Sequence, residues 1–272
     1  MTSVPSALNR DVPLTELSAE LLIARIARAE LYVLDMTAVG GASAVNAALQ
    51  RDHLSYLYAL EMQGRLYGSG PVEAESTGSS HELAIVAAAN RAEAERIALN
   101  EPLVRAGVRQ VRVRSHMMNE GIACYVGRAL HKRAQSQGAA FEPDTTGSLS
   151  LEELRSRAAG AELFLLRLDS THKVRPPEET QSRIDHFVWL RDNEMSARMM
   201  SCGPIFSSTP NPPDTWVSGL GIFATSRDEA ERLAAIEPSG LMGYRAVSVQ
   251  SWRLDYGLAA PIANALVTLN RL

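Results

Sequence analysis

The 272-residue chain has little cysteine, no excess of positive charge and no long apolar run, and each shortage excludes something. Two cysteines, Cys124 and Cys202, can build neither a disulfide framework nor a thiolate metal cage, so free, inert thiols are expected. A net charge of −4 and a pI near 5.9 argue against a nucleic-acid surface, which needs a concentrated basic face. No stretch approaches the roughly 18–20 consecutive apolar residues of a membrane span, and no membrane partner is expected. The opening residues "MTSVPSALNRDVP" carry neither an apolar core nor an early positive cluster, which predicts a cytoplasmic protein. What is present is the composition of a globular protein, 46% apolar and 21% charged, long enough for one large domain or two ordinary ones.

The chain repeats itself. "DHLSYLYALEMQGRLYGSGP" from Asp52 and "DHFVWLRDNEMSARMMSCGP" from Asp185 share an Asp-His pair, a Glu-Met pair and a closing Gly-Pro, 133 residues apart throughout. "NRAEAERIALNEP" from Asn90 and "SRDEAERLAAIEP" from Ser226 match at an offset of 136, as do "GVRQVRVRSHMMNEG" and "GYRAVSVQSWRLDYG". The slip of three falls at the Pro-rich "SSTPNPPDTW", a natural loop insertion. A repeat of this kind fixes the architecture. It predicts a first unit over residues 11–138, a linker over 139–148 and a second unit over 149–272.

Periodicity gives each unit the order βαββαβ. "LYVLDM" reads as a strand, 45–63 as a helix, "RLYGSGP" and "HELAIVAAA" as strands, "NRAEAERIAL" as a helix capped by Asn90, and "VRQVRVR" as an alternating strand. Pro102 and Pro238 stop the second helix, and a further helix is expected at each end of the unit; "SLEE" from Ser150 is a capping box. The expected fold is α+β: two tandem ferredoxin-like units that bury their open sheet faces against each other in an intramolecular, pseudo-dimeric α/β barrel with extra terminal helices. The alternating Arg109, Arg112 and Arg114 read as the wet face of a strand, unless they rim a pocket for an anion.

A helix opening with His, a Gly-Pro after the next strand, a "DEAERL"-like helix ending in an acidic residue plus Pro, and a last strand ending near Trp resemble the YCII-related family of dimeric α/β barrel proteins. The match runs over Glu30–His116 and again over Glu162–Trp252. The resemblance implies a small-molecule pocket between sheet and first helix, with His53 and Glu101, and His186 and Glu237, as catalytic dyads; Arg51, His116, Arg183 and Trp252 are the candidates for the substrate side. The family usually has Asp where this chain has Glu. No cofactor and no metal are implied, and the fused pair serves as its own dimer or pairs again as a homodimer.

An imidazole titrates near neutrality, and a carboxylate within hydrogen-bond reach fixes its tautomer and raises its basicity. That pair suffices for proton abstraction beside a carbonyl, so the expected function is a cofactor-independent lyase or isomerase on a small cyclic or aromatic-derived acid. A non-catalytic small-molecule binding protein with vestigial dyads, its ligand held in the apolar barrel interior, and a monooxygenase-like barrel are the rivals. His53 also shares a helix face with Leu57 and Leu60, the placement of an ordinary core-edge histidine. Asp52 and Asp185 suit the positive end of a helix dipole, whereas Glu101 and Glu237 end theirs, where a negative charge asks for a partner. His81 and His172 lack counterparts. Met195, Met199 and Met200 read as core filler.

Overall fold

A computed structural model describes residues 29–39, 45–73, 81–138, 141–145, 149–171, 179–206 and 218–271. The expected N-terminal helix, half of the linker (139–140 and 146–148), the Pro-rich loop and His172 lie outside them. The first half runs β1 (Ala29–Ala38), α1 (Ala47–Met62), β2 (Leu66–Val72), β3 (His81–Val86), α2 (Arg91–Asn100), α3 (Pro102–Arg105), β4 (Arg109–Met118) and α4 (Cys124–Gln137). After α5 (Leu151–Ser156) the second half repeats this as β5 (Ala161–Ser170), α6 (Glu179–Met195), β6 (Met199–Phe206), β7 (Ser218–Phe223), α7 (Arg227–Ala235), α8 (Pro238–Leu241), β8 (Arg245–Leu254) and α9 (Ala260–Leu269). The capping signals act as read: Asn90 Oδ1 accepts from Glu93 N at 3.0 Å, Ser226 Oγ from Glu229 N at 3.2 Å, and Ser150 with Glu153 closes a capping box.

The eight strands close into one antiparallel barrel in the order β1-β3-β2-β8-β5-β7-β6-β4. The two four-stranded sheets therefore meet edge to edge, where the sequence predicted face-to-face burial. One seam pairs Val72 with Trp252, and the other pairs Ser115 with Phe206 and His116 with Ile205. Closure leaves no open strand edge and gives the sheet an inside and an outside. Alternation along β1 sends Leu31 and Val33 inward, while Tyr32, Leu34 and Met36 pack outward under α1 and α2. The inner face is filled by its own side chains, including Tyr67, Leu83, Ile85, Leu165, Ile222 and Trp252, each fully buried. Helices α4 and α9 add Leu130, Ala134, Ala263 and Leu266 to that core and stopper the end where Ala29 and Met118 lie.

The recurring Gly-Pro now has a physical reason. A β-carbon on Gly70 would lie 1.8 Å from the Arg253 carbonyl oxygen, and one on Gly203 would lie 1.8 Å from that of Met117. Across each seam the backbones also exchange hydrogen bonds, Ser69 with Tyr256 and Cys202 with Glu120. Just beyond, Gly121 and Gly257 take φ of +112° and +128° against the partner half. The methionine reading holds for Met199 and Met200, which are fully buried, and fails for Met195, which is 69% exposed because it ends α6 on the solvent side. Cys124 and Cys202 are free and buried, and burial raises both thiol pKa values.

Gly203→Ala and Gly70→Ala should each cost on the order of 3 kcal/mol or more in urea unfolding, because the clashing atom is backbone. Gly107→Ala, at φ +70° with open space around it, should cost only about 1 kcal/mol. Equal losses at all three positions would contradict the seam geometry.

Candidate functional site

Each half places its imidazole on the outer face of the barrel, between the first helix and the sheet. His53 of α1 donates from Nδ1 to Glu101 Oε1 at 2.7 Å, and His186 of α6 donates from Nδ1 to Glu237 Oε1 at 2.6 Å. Both dyads predicted from sequence are thus formed.

The glutamates do not sit where the sequence reading placed them energetically. Each is the N-cap of the short helix that its following proline opens: Glu101 accepts from Leu103 N and Val104 N, and Glu237 from Ser239 N and Gly240 N. Glu-Pro is an N-cap followed by proline at N1, so the carboxylate faces a positive helix end and is held by backbone donors before any imidazole arrives. Burial opposes the Glu237 charge, but the His186 hydrogen bond and the Ser239 donors hold its pKa down at about 2.

The halves differ at the other ring nitrogen. Glu82 Oε2 lies 3.4 Å from His53 Nε2, and the same carboxylate takes Arg109 and, at 3.0 Å, the Ser69 hydroxyl. With a carboxylate on each nitrogen both must donate, so His53 is an imidazolium. Burial works against that charge, yet Glu82 and Glu101 raise its pKa to about 9. In the second half Gly219 occupies the place of Glu82, since Pro204 pairs with Gly219 as Pro71 pairs with Glu82; Cys202 stands for Ser69 and Arg245 for Arg109. Burial therefore lowers the pKa of His186 below the ordinary value, against the Glu237 hydrogen bond. His186 is a neutral imidazole with Nδ1–H fixed on Glu237 and the Nε2 lone pair available to accept a proton. Its ring stacks on Trp189 at 6.2 Å between centroids.

The four residues assigned to the substrate side divide. Arg183 lies one helical turn before His186, on the same face. Arg51 is two residues from His53 and so points elsewhere: it is exposed, pairs with Asp52, and lines an open cleft of about 980 Å³ with Tyr56, Arg105, Glu142 and Leu149. His116 and Trp252 belong to neither pocket. Both are fully buried on the inward face, the opposite side of the sheet from the dyads, where His116 Nδ1 donates to the Pro204 carbonyl at 3.3 Å and Trp252 Nε1 to that of Gly70 at 3.1 Å. Burial lowers the His116 pKa to about 4. Glu82 was missed from sequence, although a lone acid in a buried strand, absent from the second copy, was the available signal. Among the described residues no group of three or more His, Cys, Asp or Glu is placed to hold a metal ion, and no helix is long and apolar enough to cross a membrane.

Fold and site define the protein as a closed α+β barrel with a buried imidazole–carboxylate dyad in each half. Residues 30–116, from β1 into β4, match the family model of the YCII-related domain. No curated protein matches the chain. Solved structures of similar shape include a candidate chlorite dismutase (8% identity, TM-score 0.49, covering 88% of this chain and all of that one). Others are a heme-binding protein from Thermus thermophilus (10%, 0.46, 89% and 96%) and a candidate monooxygenase from Lactobacillus acidophilus (11%, 0.43, 84% and 95%). Likenesses this distant carry no argument about activity.

The two imidazoles predict opposite pH effects on stability. His53, raised from 6.5 to about 9, contributes fully below pH 6.5 and loses its contribution as the pH climbs toward 9. His186, lowered, contributes above pH 6.5 and loses its contribution as the pH falls. Urea unfolding from pH 5 to 9.5 should show the gap between wild type and His53→Gln narrowing with rising pH, and that for His186→Gln widening. Gaps that move together would contradict the assignment.

Proposed function

We propose that the chain is a tandem duplication of ferredoxin-like units, over residues 11–138 and 149–272, whose second half is an enzyme site and whose first half is a structural copy of it. His186 is the general base and Glu237 fixes its tautomer. The observation that carries this reading is the difference at one position, Glu82 against Gly219. In the first half a carboxylate of the chain itself spans His53 and Arg109; in the second, that carboxylate is missing while His186, Glu237 and Arg245 are kept. A small carboxylic acid bound there would turn its acid group toward Arg245 and Arg183, away from His186 Nε2, and its adjacent carbon toward that nitrogen, which keeps its lone pair. Proton removal from that carbon, followed by return of the proton elsewhere or by departure of a leaving group, makes the protein an isomerase or lyase of small cyclic or aromatic-derived acids. The family resemblance supports the pocket between helix and sheet.

The test is exchange of solvent deuterium into the carbon-bound protons of a panel of small cyclic carboxylic acids, followed by NMR. His186→Gln and Glu237→Gln should slow exchange by about 10²–10⁴-fold, whereas folded His53→Gln should stay within a few-fold of wild type. Gly219→Glu, which restores the internal carboxylate, should silence the second site. Exchange that survives in His186→Gln, or that depends on His53, would refute the proposal.

A further inference from the structure

The inward face of the barrel carries a charged cluster that the dyads do not use. Cross-strand partners share a face, and the register sets Arg114 beside the inward Val33, Arg112 beside Asp35, and Gln250 beside the inward Leu165. The valines between the arginines, Val111 and Val113, pack outward against the first half's helices. Arg112 and Arg114 are therefore not the wet outer face of a strand; they point into the barrel, whereas Arg109 stays on the outer face against Glu82. Burial along that face falls toward one end: His116 and Arg114 are buried and Arg112 is exposed, just as Trp252 and Gln250 are buried and Ser248 is exposed on β8. The end opposite α4 and α9 is thus a mouth, floored by the packed core.

At its floor Asp35 and Arg167, which occupy equivalent positions in β1 and β5, face each other. Asp35 Oδ2 meets Arg114 Nη2 at 2.7 Å and Arg167 Nη1 at 3.6 Å, its other oxygen meets His81, and Arg167 Nε donates to Gln250 Oε1 at 2.6 Å. Among the described residues three guanidiniums on this face oppose two carboxylates, Asp35 and the rim residue Asp169, so the described lining of the mouth is positive in a chain that is negative overall. Arg114 is 8% exposed, and its Nε–H is buried without an acceptor, a costly state for a charged donor.

We propose that the barrel mouth is a binding site for a small oxyanion, a phosphate or carboxylate group, held by Arg114, Arg167 and Arg112 on the axis that relates the halves. Bound there, the anion accepts from the orphaned guanidinium edge and offsets the excess positive charge, which Asp35 alone leaves uncompensated. The site is separate from the dyads, which lie across the sheet, and stands or falls independently of them.

Calorimetric titration of the full chain with inorganic phosphate at low ionic strength and pH 7 tests this. One saturable site is expected, weakened at least about tenfold in Arg167→Gln and Arg114→Gln. Arg112→Gln leaves the buried floor intact, so it should weaken binding several-fold with an unchanged thermal melt; this keeps the test decisive if the floor variants unfold. His186→Gln should bind phosphate as wild type does. Absence of saturable binding up to about 10 mM, or equal affinity in wild type, Arg112→Gln and Arg167→Gln, would overturn the proposal.

Discussion

The structure depends on how closely its two halves approach. At each seam the backbone of one half passes where a β-carbon of the other would stand, 1.8 Å from a carbonyl oxygen, so only glycine fits at Gly70 and Gly203. That approach lets eight strands close with hydrogen bonds across both seams. Closure decides the rest: one face of every strand becomes a filled interior, the other becomes the bed for α1, α2, α6 and α7, and each imidazole is confined between helix and sheet.

Within that frame the two halves show how one side chain sets the chemistry of another. Both dyads have nearly the same distance and the same capped glutamate. A second carboxylate turns His53 into one member of a buried ion network with Glu82 and Arg109, which stabilises the fold but removes the lone pair a base requires. Glycine at the equivalent position leaves His186 neutral. The two imidazoles thus stabilise their halves at opposite ends of the pH scale.

Much of this was legible in the sequence, for reasons that can be named. The repeat carried the order of elements, because recurrence of residues at near-constant offsets survives without any knowledge of packing, while the pairing of His53 with Glu101 and His186 with Glu237 came from the resemblance to the YCII-related family. The alternating Val–Arg run marked a two-faced strand, but period-two alternation does not say which face turns inward, so Arg112, Arg114, His116 and Trp252 were assigned to the wrong side of the sheet. Glu101 and Glu237 were read only as closing one helix; Glu101 does cap the end of α2, and Glu237 follows the end of α7, but both also open the next helix, which Glu-Pro leaves undecided in a sequence. Glu82 stood out in the sequence only as an acid in a buried strand that the second copy lacks, and its role follows from β2–β3 register.

The central claim is that equal dyads hold opposite protonation states. Its most direct measurement is the imidazole ¹⁵N shift of His53 and His186 followed by NMR across pH 5–10. The account predicts that both His53 nitrogens remain protonated until the pH nears 9, while His186 keeps a protonated Nδ1 and a bare Nε2 from pH 6.5 upward. Coincident titration of the two rings, or a bare nitrogen on His53 at neutral pH, would contradict it.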